Sequence, residues 1–219
     1  MSMMISVIIP TFNGAATLCD AVESVRAQNI PVQIIIIDDG STDETPRVIG
    51  GLENVVSLRQ TNAGPAAARN SGVTLATAPL LAFLDDDDVW LPTKLTARLR
   101  TLDEHPEAIG TLGLTTVQVQ ERDGWRTLPE AYLAPNLGAA LFRREAFDGD
   151  GWFDATLPAS EDVDFLLRLR DAGRKVITTN DIVLSYRRGA NNMTRGKDLR
   201  ELRLFEVLKR SLDRRRAKA

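Results

Sequence analysis

The sequence predicts an α/β fold built on a largely parallel sheet, and three observations carry that expectation. Short apolar runs rich in β-branched residues alternate with segments whose apolar residues recur every three or four positions. The runs are apolar throughout, as strands covered by helices on both faces must be. Three of them end abruptly in polar clusters, and in open sheets of this kind ligands bind beyond the carboxyl ends of the strands.

Residues 5–9 form an apolar strand stopped by Pro10, and Leu18, Ala21, Val22 and Val25 follow at helical spacing. Residues 32–37 (VQIIII) read as a buried strand followed by DDGSTDET, where Ser41 and Glu44 have the spacing of a capping box, so a helix is expected to start there. Residues 55–58 are a third strand, 65–76 a helix, 80–84 a fourth strand and 92–105 a helix opened by Pro92. Residues 109–119 are again strand-like. Residues 124–138, with Trp125, Pro129, Tyr132 and Pro135, read as irregular. Val163, Leu166, Leu167 and Leu169 mark a helix ending near Gly173, which puts Glu161 and Asp162 in a first turn whose dipole favours ionised carboxylates.

Composition narrows the function classes. A chain of 219 residues with 43% hydrophobic residues can bury a real core. Its net charge is −3, but residues 195–219 hold ten Lys/Arg and four Asp/Glu, or +6, which leaves −9 on the rest. Nucleic acid is therefore not an expected partner of the main body. The single cysteine, Cys19, excludes an internal disulfide, and no apolar run has the length of a membrane span or signal-peptide core. A cytoplasmic protein is the expectation.

The polar clusters are Pro10-Thr11-Phe12-Asn13-Gly14, Asp38-Asp39-Gly40-Ser41 and Asp85-Asp86-Asp87-Asp88. The topology brings them together in space. Converging carboxylates repel one another, yet they suit a hard divalent cation such as Mg²⁺ or Mn²⁺ that bridges to phosphate oxygens. A solvated acidic loop is the plain alternative for four aspartates in a row. Neither a GxxxxGK[ST] loop nor a GxGxxG turn is present, so standard ATP and dinucleotide cradles are absent.

The segments VIIPTFNGAATLCDAVESVRAQ, IIIDDGSTDET, NAGPAAARNSG, FLDDDDVWLP and SEDVDFLLRLRDAG occur in the order found in glycosyltransferase family 2, and residues 4–190 resemble that family. The resemblance implies a GT-A fold, a nucleotide-sugar donor, a metal held by a D-x-D motif and transfer with inversion at the anomeric carbon. By position it implies that Pro10 and Thr11 line the nucleotide pocket and that Asp39 accepts a hydrogen bond from the base, for which the N3–H of uracil or thymine is a suitable donor. It places Asp85 or Asp86 near the ribose and makes Asp87 the principal metal ligand, with Asp85 as a second. Asp88 and Trp90 are supporting residues, although a cap before Pro92 is the plainer reading of Asp88. Arg69 lies near the crevice, either on phosphate or paired with an aspartate. Asp162 becomes the general base and Glu161 orients the acceptor or the base.

Two departures from the family pattern stand out. Pro65 occupies a position where lysine is frequent, and YRRGANNMTRG lacks a histidine often found a few residues after the tyrosine. Arg188 is the expected substitute for neutralising the diphosphate. The sole histidine, His105, reads as a surface residue beside Pro106. Residues 189–196 have the composition of either a donor-ordered lid or a simple connection. Trp152 and Phe153 are weighed between stacking on a sugar and packing in the core.

The expected organisation is a GT-A domain over residues 1–194, with a nucleotide-sugar half to about 106 and an acceptor half from about 107, then a basic amphipathic helix over 195–219. Leu199, Leu202, Phe205, Leu208 and Leu212 form its apolar stripe. Packing of that stripe on the catalytic domain or in a homodimer is the first expectation, and peripheral contact with the inner face of a membrane bearing a lipid-linked glycan acceptor is the alternative. The competing functions are weaker. A receiver-like signalling module would carry an aspartate after the third strand, where Arg59 stands, and a sugar-nucleotide pyrophosphorylase would carry a basic glycine-rich segment in place of PTFNGAAT. An inactive nucleotide-sugar-binding module is opposed by the joint presence of the D-x-D and Glu161-Asp162.

Overall fold

The computed structural model describes residues 4–149, 152–189 and 201–217. Four parallel strands form its first half: β1 (Ile5–Thr11), β2 (Val32–Asp38), β3 (Val55–Arg59) and β4 (Leu80–Phe83). Their order is β3-β2-β1-β4, with Ile5 of β1 opposite both Val32 and Leu80. Every residue of β1 and β4 is buried, as the unbroken apolar runs require. The helices α1 (Leu18–Arg26) and α3 (Pro65–Leu75) follow the expected spacing, and α1 buries Leu18, Ala21, Val22 and Val25.

Two helix starts differ from expectation. The capping box does not form: Ser41 Oγ accepts from the Asn13 N–H at 2.9 Å, and α2 (Thr45–Gly50) begins later, where Asp43 accepts from the Thr45 N–H at 2.9 Å. Ser41 is spent on joining two loops and is lost to the helix. Likewise α4 (Lys94–Glu104) starts after Pro92, which occupies the preceding turn, and His105 caps its far end with a partly exposed side chain.

The second half extends the same sheet. After the short β5 (Val89–Trp90) come β6 (Gly110–Glu121), β7 (Gly124–Tyr132), β8 (Ala140–Arg143) and β9 (Val176–Arg188). β8 runs antiparallel to both β4 and β6, β6 runs parallel to β9, and β5 closes antiparallel on β9. β7 corrects the reading of 124–138 as irregular over residues 124–132, while 133–136 carry no regular element. Among the described residues it pairs only with β6, so Pro129 is tolerated on an edge, and its mostly exposed residues leave no alternation for a sequence to display.

An aromatic cluster joins the halves. Phe83, Phe142, Phe147, Phe153 and Phe165 pack together, with Phe147 stacked on Phe165 at 4.9 Å and Phe83 edge-on to Phe153 at 5.3 Å. Phe153 is therefore core, whereas Trp152 is exposed. Because Phe165 belongs to α5 (Glu161–Asp171), this cluster fixes the start of α5 against the end of β4.

The last element, α6 (Leu204–Arg216), packs on α5 with the face opposite to the one expected. Val207 and Ser211 are buried there, Arg214 Nε lies 3.1 Å from Asp171 and Arg210 lies 2.7 Å from Asp154. The outer side of α5 presents the carboxylates Asp164 and Asp171, which select the arginine side of α6. Phe205, Leu208 and Leu212 are 58%, 43% and 51% exposed. Leu199 and most of the 189–196 segment lie outside the described residues.

Candidate active site

Parallel register sets the carboxyl ends of β1, β2 and β4 side by side, and a cavity of about 550 Å³ opens there. Pro10, Thr11, Asp39, Arg69, Asp85, Asp86 and Asp87 line it, together with Phe12, Asn62, Gly64, Pro65, Ala68 and Tyr186. Asp162, Glu161 and Arg188 do not. The sequence did not single out Phe12, Asn62 or Tyr186. All three lie inside quoted motifs, Tyr186 as the first residue of YRRGANNMTRG on β9, but none of them has a side chain that marks it as a site residue by charge or spacing.

Asp39 is buried and already engaged. Its Oδ1 accepts from Gln60 Nε2 at 2.7 Å and from the Ala63 N–H at 3.0 Å, and its Oδ2 accepts from the Gly64 N–H at 2.8 Å. These bonds hold the 60–64 loop against β2. A carboxylate offers about four acceptor positions, so Oδ2 keeps one. Gly64, at φ +88°, provides the left-handed turn that brings its N–H to Asp39 just ahead of α3.

The aspartate run folds back on the first loop. Thr11 Oγ1 donates to Asp86 Oδ2, and Gly14 makes the approach feasible, since a Cβ there would lie 1.9 Å from Asp86 Oδ2. Burial raises the Asp86 carboxyl to about 6, with the charge of Asp85 adding to it. Burial, then Asp85 and Asp86, raises Asp87 to about 7. These groups crowd negative charge where water cannot fully disperse it.

That crowding fits a hard cation. Among the described residues no three His, Cys, Asp or Glu side chains are disposed to enclose an ion by themselves. Mg²⁺ is commonly bound by one or two carboxylates with waters and substrate phosphates supplying the rest, so two carboxylates of this run would be a sufficient protein share.

Asp88 is not the cap it resembled. It is buried, its Oδ1 accepts from the Arg187 N–H at 2.9 Å, and burial followed by the charge of Asp87 pushes its carboxyl well up. It joins the acidic loop to β9, where the Arg187 side chain reaches Asp20 at 2.6 Å and covers the Trp125 ring. Arg188 is exposed at the end of β9, opposite Val119, and is not among the residues that line the cavity.

Arg69 links the two halves. Its Nη2 donates to Asp85 Oδ1 at 2.6 Å and its Nη1 donates to Glu161, with both Arg69 and Glu161 buried. Burial alone would lower the guanidinium pKa, but Asp85 and Glu161 outweigh it and the group is held firmly charged. Glu161 is thus turned inward onto Arg69. Asp162 beside it is half-buried, and burial, reinforced by Glu161 and opposed by Arg69, raises its carboxyl to about 7. Ser160, just before this pair, adopts a left-handed conformation at φ +64°, and its hydroxyl donates to the Leu202 carbonyl at 2.7 Å. Strained backbone of this kind persists where surrounding contacts over-determine it.

The sequence matches the profile of Glycosyl transferase family 2 over residues 6–154. An uncharacterized glycosyltransferase of Nostoc sp. is 44% identical over 99 residues, covering 42% of this chain and 31% of that protein. The succinoglycan biosynthesis protein ExoU of Rhizobium meliloti is 37% identical over 97 residues, covering 42% of this chain and 28% of that one. This chain therefore spans less than a third of either relative. Among solved structures, residues 1–349 of S. aureus TarS in complex with UDP-GlcNAc superpose with a TM-score of 0.79 at 20% identity, over 97% of this chain and 66% of that one, which shows a shared fold.

Proposed function

From the premise that this chain belongs to glycosyltransferase family 2, we propose that it moves a sugar from a nucleoside-diphosphate sugar to a hydroxyl of a glycan or lipid-linked glycan. The carrying observation is the convergence of Pro10, Thr11, Asp39, Arg69, Asp85, Asp86 and Asp87 on one cavity, with Asp162 connected to it through Arg69 and Glu161. A volume of about 550 Å³ lies in the ordinary range for small-molecule sites.

Asp39, through the acceptor position left on Oδ2, takes the N3–H of a uracil or thymine. Pro10 and Thr11 form the wall beside the base, and Asp85 and Asp86 approach the ribose. Asp87, with Asp85, holds Mg²⁺ or Mn²⁺, which when bound supplies positive charge for the departing diphosphate. Asp162 takes the proton from the acceptor hydroxyl as its oxygen bonds to the anomeric carbon. The bond from that carbon to the diphosphate oxygen breaks in the same displacement, its electron pair leaving with the diphosphate, and the configuration inverts. Arg69 keeps Asp162 ionisable near neutral pH by offsetting the charge of Glu161.

TarS, a protein of the same fold, was solved with UDP-GlcNAc, so uridine nucleotides are the first donors to test. The experiment is thermal denaturation with a panel of nucleotide sugars, each with and without Mn²⁺. A bound ligand raises the melting temperature according to RT ln(1 + [L]/Kd). A shift that needs both a pyrimidine diphosphate sugar and the metal is expected. No shift with any donor would overturn the reading.

A further inference from the structure

We propose that the outward face of α6 is a docking surface for an anionic lipid bilayer. Phe205, Leu208 and Leu212 recur at intervals of three and four, which places them on one side of a helix, and they are the exposed large apolar residues of α6. Lys209, Arg215 and Arg216 are exposed alongside them. The opposite side is already committed: Val207 and Ser211 are buried on α5, Arg210 pairs with Asp154 and Glu206, and Arg214 pairs with Asp171.

The stripe therefore plays no part in holding α6 in place. A short helix with an apolar face bordered by Lys and Arg lies in a bilayer interface with its apolar side chains below the headgroups. Charge favours that occupant over a second copy of this chain. The exposed side chains of α6 include three cations, Lys209, Arg215 and Arg216, against one carboxylate, Asp213, and a symmetric α6–α6 contact would set the cations of both copies against each other. Anionic headgroups compensate the same three charges.

The seating has a mechanical consequence that rests on the sugar-transfer reading. α6 is joined to α5 along its length by Arg214–Asp171 and Arg170–Ser211, and the Leu202 carbonyl just before α6 accepts from Ser160 beside the Glu161-Asp162 pair. A bilayer under α6 thus holds Asp162 at a fixed relation to the membrane surface, which suits an acceptor carried on a lipid.

The test is sedimentation of the full-length protein with vesicles of phosphatidylcholine alone and of phosphatidylcholine with phosphatidylglycerol. Partitioning is expected to be about tenfold or more stronger on the anionic vesicles and to weaken with salt. Leu208→Ser with Leu212→Ser, and separately Lys209→Glu with Arg215→Glu and Arg216→Glu, are each expected to lower it by about tenfold or more. Both variants change exposed side chains, so their melting temperatures and nucleotide binding should match the parent. Equal partitioning on both vesicle types, no partitioning, or variants that partition like the parent overturn the proposal. A dimer in light scattering that Leu208→Ser with Leu212→Ser dissolves would assign the face to a second copy instead. Nucleotide binding measured on the same samples keeps the two readings apart, because its absence with vesicle binding intact counts against the transferase reading alone.

Discussion

Arg69 and Glu161, 92 residues apart in sequence, form a buried ion pair that ties the nucleotide-side cavity to the first turn of α5. The same guanidinium holds Asp85 at 2.6 Å, so one cation serves a carboxylate from each half.

Arg69→Met is expected to be destabilising by about 3–5 kcal/mol, because it leaves Glu161 buried without a counter-charge. Denaturant melts measure this. A double variant with Glu161→Gln should cost less than the sum of the two, and strict additivity would mean that the pair is not coupled. In any fraction that remains folded, loss of Arg69 should move the pH midpoint of transfer upward, since Arg69 opposes the rise at Asp162.

Asp162→Asn should depress transfer by about 10²–10⁴-fold while donor affinity, read by calorimetry, stays near that of the parent. With the Asp162 carboxyl at about 7, kcat/KM of the parent should rise with pH through about 7 and then level, as the ionised base accumulates. The variant should lose that limb. Stability carries the opposite sign. A carboxyl raised in the folded state binds its proton more tightly there than in the unfolded chain, so its contribution falls as pH rises from about 4 to about 7. The melting temperature of Asp162→Asn relative to the parent should therefore be higher above pH 7 than near pH 4. Near-parental turnover would move the base elsewhere.

Asp87→Asn removes a charge from a crowded set, so the protein should remain folded and gain slightly in metal-free stability. Metal-dependent affinity for a nucleoside diphosphate should nonetheless fall, by about tenfold or more for the loss of a coordinating carboxylate. Calorimetry with and without Mn²⁺ separates the two effects. Unchanged metal-dependent affinity would sink the ligand assignment.

Gly14→Ala tests the close approach of the first loop to the aspartate run. The added methyl would meet Asp86 Oδ2 at 1.9 Å and Thr11 Oγ1 at 2.5 Å, which requires one loop to move. A loss of about 1–3 kcal/mol in stability and weaker nucleotide binding are expected. A variant that melts and binds as the parent does would show that Asp86 swings aside freely.

Much of the site is legible in the sequence because it is built from strand ends. Apolar runs such as VQIIII and LLAFL, each ending in aspartates, mark where a strand stops, and parallel register then forces Thr11, Asp39 and Asp85 to one edge. Tyr186 was not legible in this way. It enters on β9 from the far half of the chain, set beside the first half through the pairing of β9 with β5 and β6, a long-range register that no local spacing records.

The sequence by itself determined the alternation of strand and helix, the parallel core and the gathering of three polar clusters, because periodicity and strand-end chemistry are local signals. Only the tertiary structure decided which charges neutralise one another and which side of an amphipathic helix is buried. Glu161 turned inward because Arg69 reaches it from α3, and Asp88 became an anchor because the Arg187 N–H stands opposite. α6 laid its arginines on α5 and left its leucines outside because Asp164 and Asp171 wait there. Coulomb attraction acts between whichever groups the fold brings within a few ångströms, and sequence spacing carries no record of that distance.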